Sequence, residues 1–151
     1  MRIPRRGPQV LLLGLVVAPL LGGCSGDEGI ETQEHGGTTA LVERRTDGGM
    51  DAGIGGELVR GQGGCLAMQS AGIQQVIIWP EGSRLHSDGQ SIDVGDVTIR
   101  VGDTFSGGGG DISDPMGSGY EIPSPCRNEE DAVAIASVTV TNAISRADMR
   151  E

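Results

Sequence analysis

The sequence contains no lysine, and apart from two histidines its basic residues are all arginines. Eleven basic residues stand against 21 Asp and Glu, which gives a formal net charge of -10 at pH 7. Proteins that bind nucleic acid collect Lys and Arg to displace counterions from phosphates, and polybasic segments do the same on anionic lipids. The composition therefore predicts no nucleic-acid partner and no electrostatic binding to anionic lipids.

Side chains that carry acid–base chemistry or stack on ligands are also scarce. The chain has two histidines and one each of Trp, Tyr and Phe. His86, Ser87 and Asp88 are the residue types of a hydrolase triad, but triad members converge from separate segments rather than from one turn. The serine at position 118 lacks the first glycine of a Gly-x-Ser-x-Gly elbow, because Met116 precedes the Gly-Ser-Gly run. We predict that the protein is not an enzyme; a hydrolase with an unrecognised site is an alternative.

The sequence also lacks the common metal and phosphate motifs. Residues 107–110 are four glycines with no Gly-Lys-Ser/Thr after them, so we predict a loop there rather than a phosphate cradle. Asp103, Asp111 and Asp114 do not have the spacing of an EF-hand loop and are predicted to be solvated turn residues. Zinc sites need about four closely spaced ligands, which the cysteines do not supply. No metal and no cofactor are predicted.

The N-terminus has the organisation of an export signal. Arg2, Arg5 and Arg6 form a positive head, and residues 10–21 are an apolar run broken by Gly14 and Pro19. A membrane-spanning helix needs ~20 apolar residues. The shorter run behind a charged head is typical of a removable signal peptide, which we assign to residues 1–23.

The end of that run, Leu21-Gly22-Gly23-Cys24, resembles the lipobox of bacterial lipoproteins. The resemblance implies that Cys24 carries a diacylglycerol on its sulfur and becomes the mature N-terminus. Two acyl chains anchor a protein stably where a single chain binds only marginally. The expected location is extracytoplasmic, on the bacterial cell membrane, with the lipid on Cys24 as the anchor.

If lipid occupies Cys24, the two remaining cysteines form an even pair in an oxidising compartment. We therefore predict a disulfide between Cys65 and Cys126; two separate reduced thiols are the alternative. Closing a loop of roughly 60 residues would stabilise the fold by about 4 kcal/mol on the chain-entropy estimate.

The remaining chain divides by composition into a tether, a domain and a tail. Residues 24–55 are rich in Gly, Thr, Glu and Asp and are predicted to form a flexible acidic tether with an end-to-end distance of ~30 Å. Residues 56–141 contain short apolar runs between turn signals and are predicted to fold. Residues 142–151 form a tail.

Several of these runs have strand character. Residues 65–68, 76–79 and 97–101 are apolar or alternating, Asp88-Gly89 favours a hairpin, and residues 104–106 begin a short strand. The run 132–140 alternates and then resumes out of phase, which predicts a bulge near Ala136-Ser137. A helix is an alternative there, since residues 129–131 are acidic and suit a first helical turn. The β-branched residues 138–141 favour a strand.

Five or six short, glycine-rich strands in ~85 residues fit a small OB-like barrel better than a sandwich. Residues 64–66, 76–82, 101–103, 107–110 and 122–126 are similar to segments of small actinobacterial lipoproteins. That resemblance implies a structural domain of this kind and brings no activity with it.

These observations lead to a membrane-anchored, non-enzymatic interaction module at the cell envelope, with an envelope protein or glycan as partner. The alternative is a small-ligand or glycan-binding barrel in which Trp79 and Tyr120 stack on a sugar. Packing in the core is the competing use for such rings.

Overall fold

A computed structural model of the protein describes residues 29–44, 51–113, 120–127 and 132–141. These residues are mainly β-structure, with two short 3₁₀ turns at Gln62–Gly64 and Ser124–Cys126. The described part of the chain contains no helix with the length and apolar character that crossing a bilayer requires. The strands are β1 (Ile30–His35), β2 (Thr38–Glu43), β3 (Ala52–Arg60), β4 (Leu66–Ser70), β5 (Ile73–Trp79), β6 (Arg84–Leu85), β7 (Ser91–Val94), β8 (Val97–Arg100), β9 (Thr104–Ile112) and β10 (Ala132–Val140).

Five of these strands close into a barrel in the order β3-β4-β5-β10-β9, with β9 pairing back to β3. The β5–β10 pair is parallel and the other four pairs around the barrel are antiparallel. A five-stranded closed barrel with crossing connections is the OB-type arrangement. The prediction of a mainly β, OB-like barrel is confirmed.

β1 and β2 form a hairpin that extends the barrel wall. β2 runs parallel to the end of β5, with Leu41 paired to Ile78 and Val42 to Trp79. Five of the six β2 residues are buried, among them Ala40, Leu41 and Val42, so this hairpin is part of the folded domain. The predicted tether over residues 24–55 is therefore wrong for residues 30–43, and residues 52–55 belong to β3. Residues 1–28, including Cys24, and residues 142–151 lie outside the described residues.

The connection between β5 and β9 folds as a separate three-stranded sheet, β6-β7-β8. The predicted hairpin at Asp88-Gly89 is present, with Leu85 paired to Ile92 on its two sides. Leu85, Ile92 and Ile99 join the same buried cluster as the barrel residues Trp79 and Phe105, so this sheet covers the barrel core. Gln33 of β1 links it to the hairpin: its side-chain amide donates to the Ser83 carbonyl at 3.0 Å and accepts from the Leu85 N–H at 2.8 Å.

A second buried cluster lies on the outside of the barrel wall. The outward side chains of β2, β5 and β10 pack there against residues 120–127, which follow an irregular path around the 3₁₀ turn Ser124–Cys126. Ile122 and Cys126 are buried in this cluster, at 4 % exposure each. Residues 120–127, called the outer strap below, therefore cover one side of the barrel.

β10 is a strand over residues 132–140, and its pairing with β9 shifts register between Ile135 and Ser137. The predicted strand and its bulge are confirmed. The prediction that residues 107–110 form a loop is wrong, because all four glycines lie in β9 and pair with β10, and residues 107–109 also pair with β3. The reason is close approach: a Cβ at Gly107 would overlap the Ser137 carbonyl oxygen, and one at Gly109 the Ala134 carbonyl oxygen.

Candidate functional site

The loop between the first two barrel strands and the loop between the last two are joined covalently. In OB folds these two loops and the face between them bind oligonucleotides and oligosaccharides. Here Cys65, at the end of the first loop, forms a disulfide with Cys126 in the outer strap, with the two Cα atoms 5.5 Å apart. The predicted disulfide is confirmed.

Backbone packing closes the same two loops further. Gly63 adopts a φ of 66° and lies so near Pro125 that a Cβ would overlap the Pro125 carbonyl oxygen. Cys65 and Cys126 are 2 % and 4 % exposed. The gap between these two loops is therefore closed by the protein itself, and the disulfide holds it closed.

Trp79 does not lie on a ligand-binding face. It is 0 % exposed, and its ring packs against Phe105 with centroids 6.3 Å apart at a tilted angle. Its Nε1 has no hydrogen-bond partner among the described residues. The hypothesis that Trp79 stacks on a ligand is wrong: the ring is used for the barrel core, because a large aromatic contributes most when fully buried.

Tyr120 lies on the other side of the barrel wall, in the outer strap, and the structure does not bring it together with Trp79. Its hydroxyl donates a 2.6 Å hydrogen bond to Oε1 of Glu43, a carboxylate of 8 % exposure at the end of β2. Burial first, and then this hydrogen bond and the negative charge of Glu43, raise the pKa of Tyr120 to about 12. The Tyr120–Glu43 pair fastens the strap to the hairpin, a role that the separation of the two residues in sequence concealed.

His86 forms a polar group with β7 and β8 instead of with its chain neighbours Ser87 and Asp88. Its Nε2 lies 2.8 Å from Oδ2 of Asp93, whose Oδ1 accepts a 2.6 Å hydrogen bond from the Thr98 hydroxyl. The Thr98 and then the His86 hydrogen bond lower the pKa of Asp93 below its usual value. Both side chains of this pair are about 40 % exposed. In the part of the chain that is described, the hydrogen bond of the imidazole leads to a carboxylate and not to a serine or cysteine nucleophile.

The acidic residues Asp88, Asp103 and Asp111 each accept a hydrogen bond within the protein, and Asp111 lies in β9 rather than in the predicted turn. Asp88 accepts from the Gln90 N–H at 2.8 Å, which is the main reason that its pKa is lowered. Asp103 accepts from the Arg100 N–H, and Asp111 from the Gln75 amide. The described residues contain no group of three or more His, Cys, Asp or Glu that could hold a metal ion. Asp114 lies outside them.

A shallow depression of about 370 Å³ lies at the turn between β1 and β2. It is lined by residues 34–39, and two of them, Gly36 and Gly37, form the tight turn with φ of 55° and 73°. Arg60 donates a hydrogen bond to the Gly37 carbonyl from the barrel side. Thr38 is fully buried beside it, and its hydroxyl has no partner among the described residues. His35, assigned to the tether from sequence, is an exposed side chain at this depression.

The outer face of β3, β9 and β10 carries almost no side chains. Gly53 pairs with Gly108 and Gly55 with Ser106, and Ser137 and Thr139 of β10 continue the two rows. Ser106, Ser137 and Thr139 are exposed. Successive strand residues alternate between faces, so this side of the barrel is a flat surface of backbone and small hydroxyl groups. The glycine run that marks it was visible in the sequence, but its interpretation as a loop concealed the face.

Comparison of the chain with protein-family models, with curated proteins and with solved structures found no match. The fold class therefore rests on the strand order itself, which defines an OB-like barrel with an added hairpin and an added three-stranded sheet.

Proposed function

We propose that the protein is an exported lipoprotein, anchored through Cys24, whose OB-like barrel serves as a non-enzymatic interaction module at the cell envelope. The buried Cys65–Cys126 disulfide is the observation that carries this proposal. Structural disulfides persist in oxidising compartments and are rare in the cytosol. The third cysteine follows the apolar N-terminal run at the lipobox position and is left for acylation.

The closed loops favour recognition by the outer surface over recognition by a cleft. The Gly63–Pro125 packing and the disulfide fill the place where an OB fold binds its ligand. The flat face around Gly53, Ser106 and Thr139 presents backbone and hydroxyl groups that suit a flat protein surface. We place the partner contact on this face.

Acylation is tested by metabolic labelling with an alkyne-bearing fatty acid in a bacterium that processes lipoproteins. Wild-type protein should be labelled and Cys24→Ala should not. A double variant, Cys65→Ala with Cys126→Ala, is the matched control for loss of cysteine and should retain the label. Label that persists in Cys24→Ala, or is missing from the wild type, would contradict the anchor.

The interaction role is tested by in-cell photo-crosslinking. A photoreactive amino acid at Ser106 or Thr139 should give the same discrete adduct from both positions. The control carries the photoreactive amino acid at Asp96, an exposed turn position on the three-stranded sheet. This control should not give the adduct. Adducts that are diffuse, or equal at all three positions, would count against the flat face as the contact surface.

A small-ligand or glycan binder is the second candidate, supported by the depression at residues 34–39 rather than by Trp79. Its polar lining and the buried Thr38 hydroxyl suit a ligand rich in hydroxyl groups. In a thermal-shift screen, an envelope sugar that binds should raise the Tm of the wild type, because binding to the native state raises stability by mass action. The same sugar should raise the Tm of His35→Ala less. A flat response to the sugars would remove this candidate.

A further inference from the structure

The folded domain begins very close to the proposed lipid anchor. β1 starts at Ile30, and the Gly29 carbonyl already accepts a hydrogen bond from the Arg44 N–H at 2.9 Å. Residues 25–28 are all that separate Cys24 from this first paired residue. An extended chain spans at most ~3.3–3.6 Å per residue, so Gly29 lies within ~18 Å of Cys24.

This link is shorter than the domain is wide. A compact domain of ~100 residues has a radius of gyration of ~13 Å, so its full width exceeds 25 Å. Such a link keeps the start of β1 within ~18 Å of the acylated residue, so the domain stays close to the bilayer, whereas a 30-residue flexible tether would place it ~30 Å away. We infer that the domain lies directly against the phospholipid headgroups, with the end of the sheet that carries Gly29, Ile30 and Arg44 toward the bilayer. This inference rests on the proposed acylation of Cys24.

The pairing of β1 with β2 shows which end of the hairpin lies opposite the anchored end. The register runs from Ile30 paired with Glu43 to His35 paired with Thr38, so β1 leads straight away from the anchored end. At ~3.4 Å per residue, His35 lies ~17 Å further along the strand than Ile30. The depression at residues 34–39 is therefore at the end of the hairpin that lies farther from the anchored start of β1.

The β1–β2 hairpin orients the rest of the domain because both of its strands are attached to other parts of the domain. β2 pairs with β5, and the Gln33 amide holds the three-stranded sheet through Ser83 and Leu85. Tyr120 adds the outer strap through its hydrogen bond to Glu43. The part of the domain that faces the bilayer is thus the start of β1 and the end of β2, together with Tyr120, which is hydrogen-bonded to Glu43.

Energy transfer to labelled lipids tests this geometry in the full, acylated protein. A fluorescent donor is attached to a non-cysteine handle at Glu31 or at His35, two exposed residues on the same face of β1. The protein is reconstituted into phosphatidylcholine vesicles with an acceptor on the headgroups; a zwitterionic lipid avoids repulsion of the acidic domain. We expect clearly higher transfer from position 31 than from position 35.

A variant with a flexible Gly/Ser linker of ~25 residues inserted after residue 28, long enough to reach ~30 Å, is the control. In it, transfer should fall at both positions and the difference between them should shrink. Vesicle flotation is measured first on every sample. Protein that does not float overturns the acylation proposal and this inference with it. Protein that floats but shows equal transfer from positions 31 and 35, or no response to the inserted linker, overturns this inference alone.

Discussion

Replacing Gln33 with leucine should destabilise the domain far more than its half-buried position on a strand at the edge of the seven-stranded sheet suggests. The Gln33 amide acts as a substitute peptide group, donating to the Ser83 carbonyl and accepting from the Leu85 N–H. Ser83 and Leu85 are each 3 % exposed, so water cannot readily replace the lost partner. Leucine has a similar volume and removes these two hydrogen bonds, together with an exposed one from the Gln33 amide to Glu31, while leaving the packing nearly unchanged.

The expected cost follows from the two backbone groups that are left unpaired. A buried donor or acceptor without a partner costs ~1–3 kcal/mol, and a made hydrogen bond contributes a net ~0.5–1.5 kcal/mol. We therefore expect a loss of about 2–3 kcal/mol in the free energy of unfolding. For a domain of this size, that loss lowers Tm by roughly 10–20 °C.

The assay is urea unfolding of unlipidated protein with its disulfide intact, followed by the fluorescence of Trp79, the one tryptophan of the chain. Gln69→Leu is the matched control, because Gln69 in β4 also donates a side-chain hydrogen bond to a backbone carbonyl, that of Ile73 at the start of β5, but this bond is exposed to solvent. Hydrogen exchange at the Leu85 amide gives an independent readout and should speed up in Gln33→Leu. Equal destabilisation by the two leucine variants would refute the reasoning.

Three further predictions concern the barrel and its strap. Replacing Cys65 and Cys126 together with serine should lower the free energy of unfolding by about 4 kcal/mol, measured by the same urea titration. Gly107→Ala should cost more than ~2 kcal/mol because its Cβ meets backbone, whereas Gly53→Ala, with open space around it, should cost under ~1 kcal/mol. Tyr120 should titrate near pH 12 by phenolate absorbance; its contribution to stability is complete below pH 10 and is lost as the pH rises toward 12.

Each of these has a result that would contradict it. A serine pair as stable as the wild type would mean that the strap is held without its disulfide. Equal effects of alanine at Gly107 and Gly53 would remove close approach as the reason for the glycine run. A Tyr120 titration near pH 10 that Glu43→Gln does not change would show that the phenol is not held by that carboxylate.

Local patterns in the sequence were sufficient to predict the strands β4, β5, β8 and β10. The apolar run 76–79, the alternation at 97–101 and the phase change near Ala136 each gave a strand or bulge that the structure contains. The disulfide followed from counting cysteines once Cys24 was set aside. The strands and the bulge depend on residues close together in the chain, and the disulfide depends only on an even number of remaining cysteines.

The failures all involve partners that are distant in the chain. Apart from Ile30, β1 is polar because it lies at the edge of its sheet, and β2 is recognisable only by its pairing with β5. The glycines of β9 resemble a loop until the bulged β10 is placed against them. The burial of Trp79 and the Glu43–Tyr120 contact likewise depend on the closed barrel, which no local pattern contains.

The last described strand is the one that completes the ring. β10 pairs in parallel with β5 and antiparallel with β9, and it lies near the end of the chain, after the outer strap. Contacts between segments so far apart form slowly, because the loop between them must be ordered first. The barrel can therefore close only after β10, the last of its five strands in chain order, has left the ribosome, and until then β5 and β9 each lack one neighbouring strand.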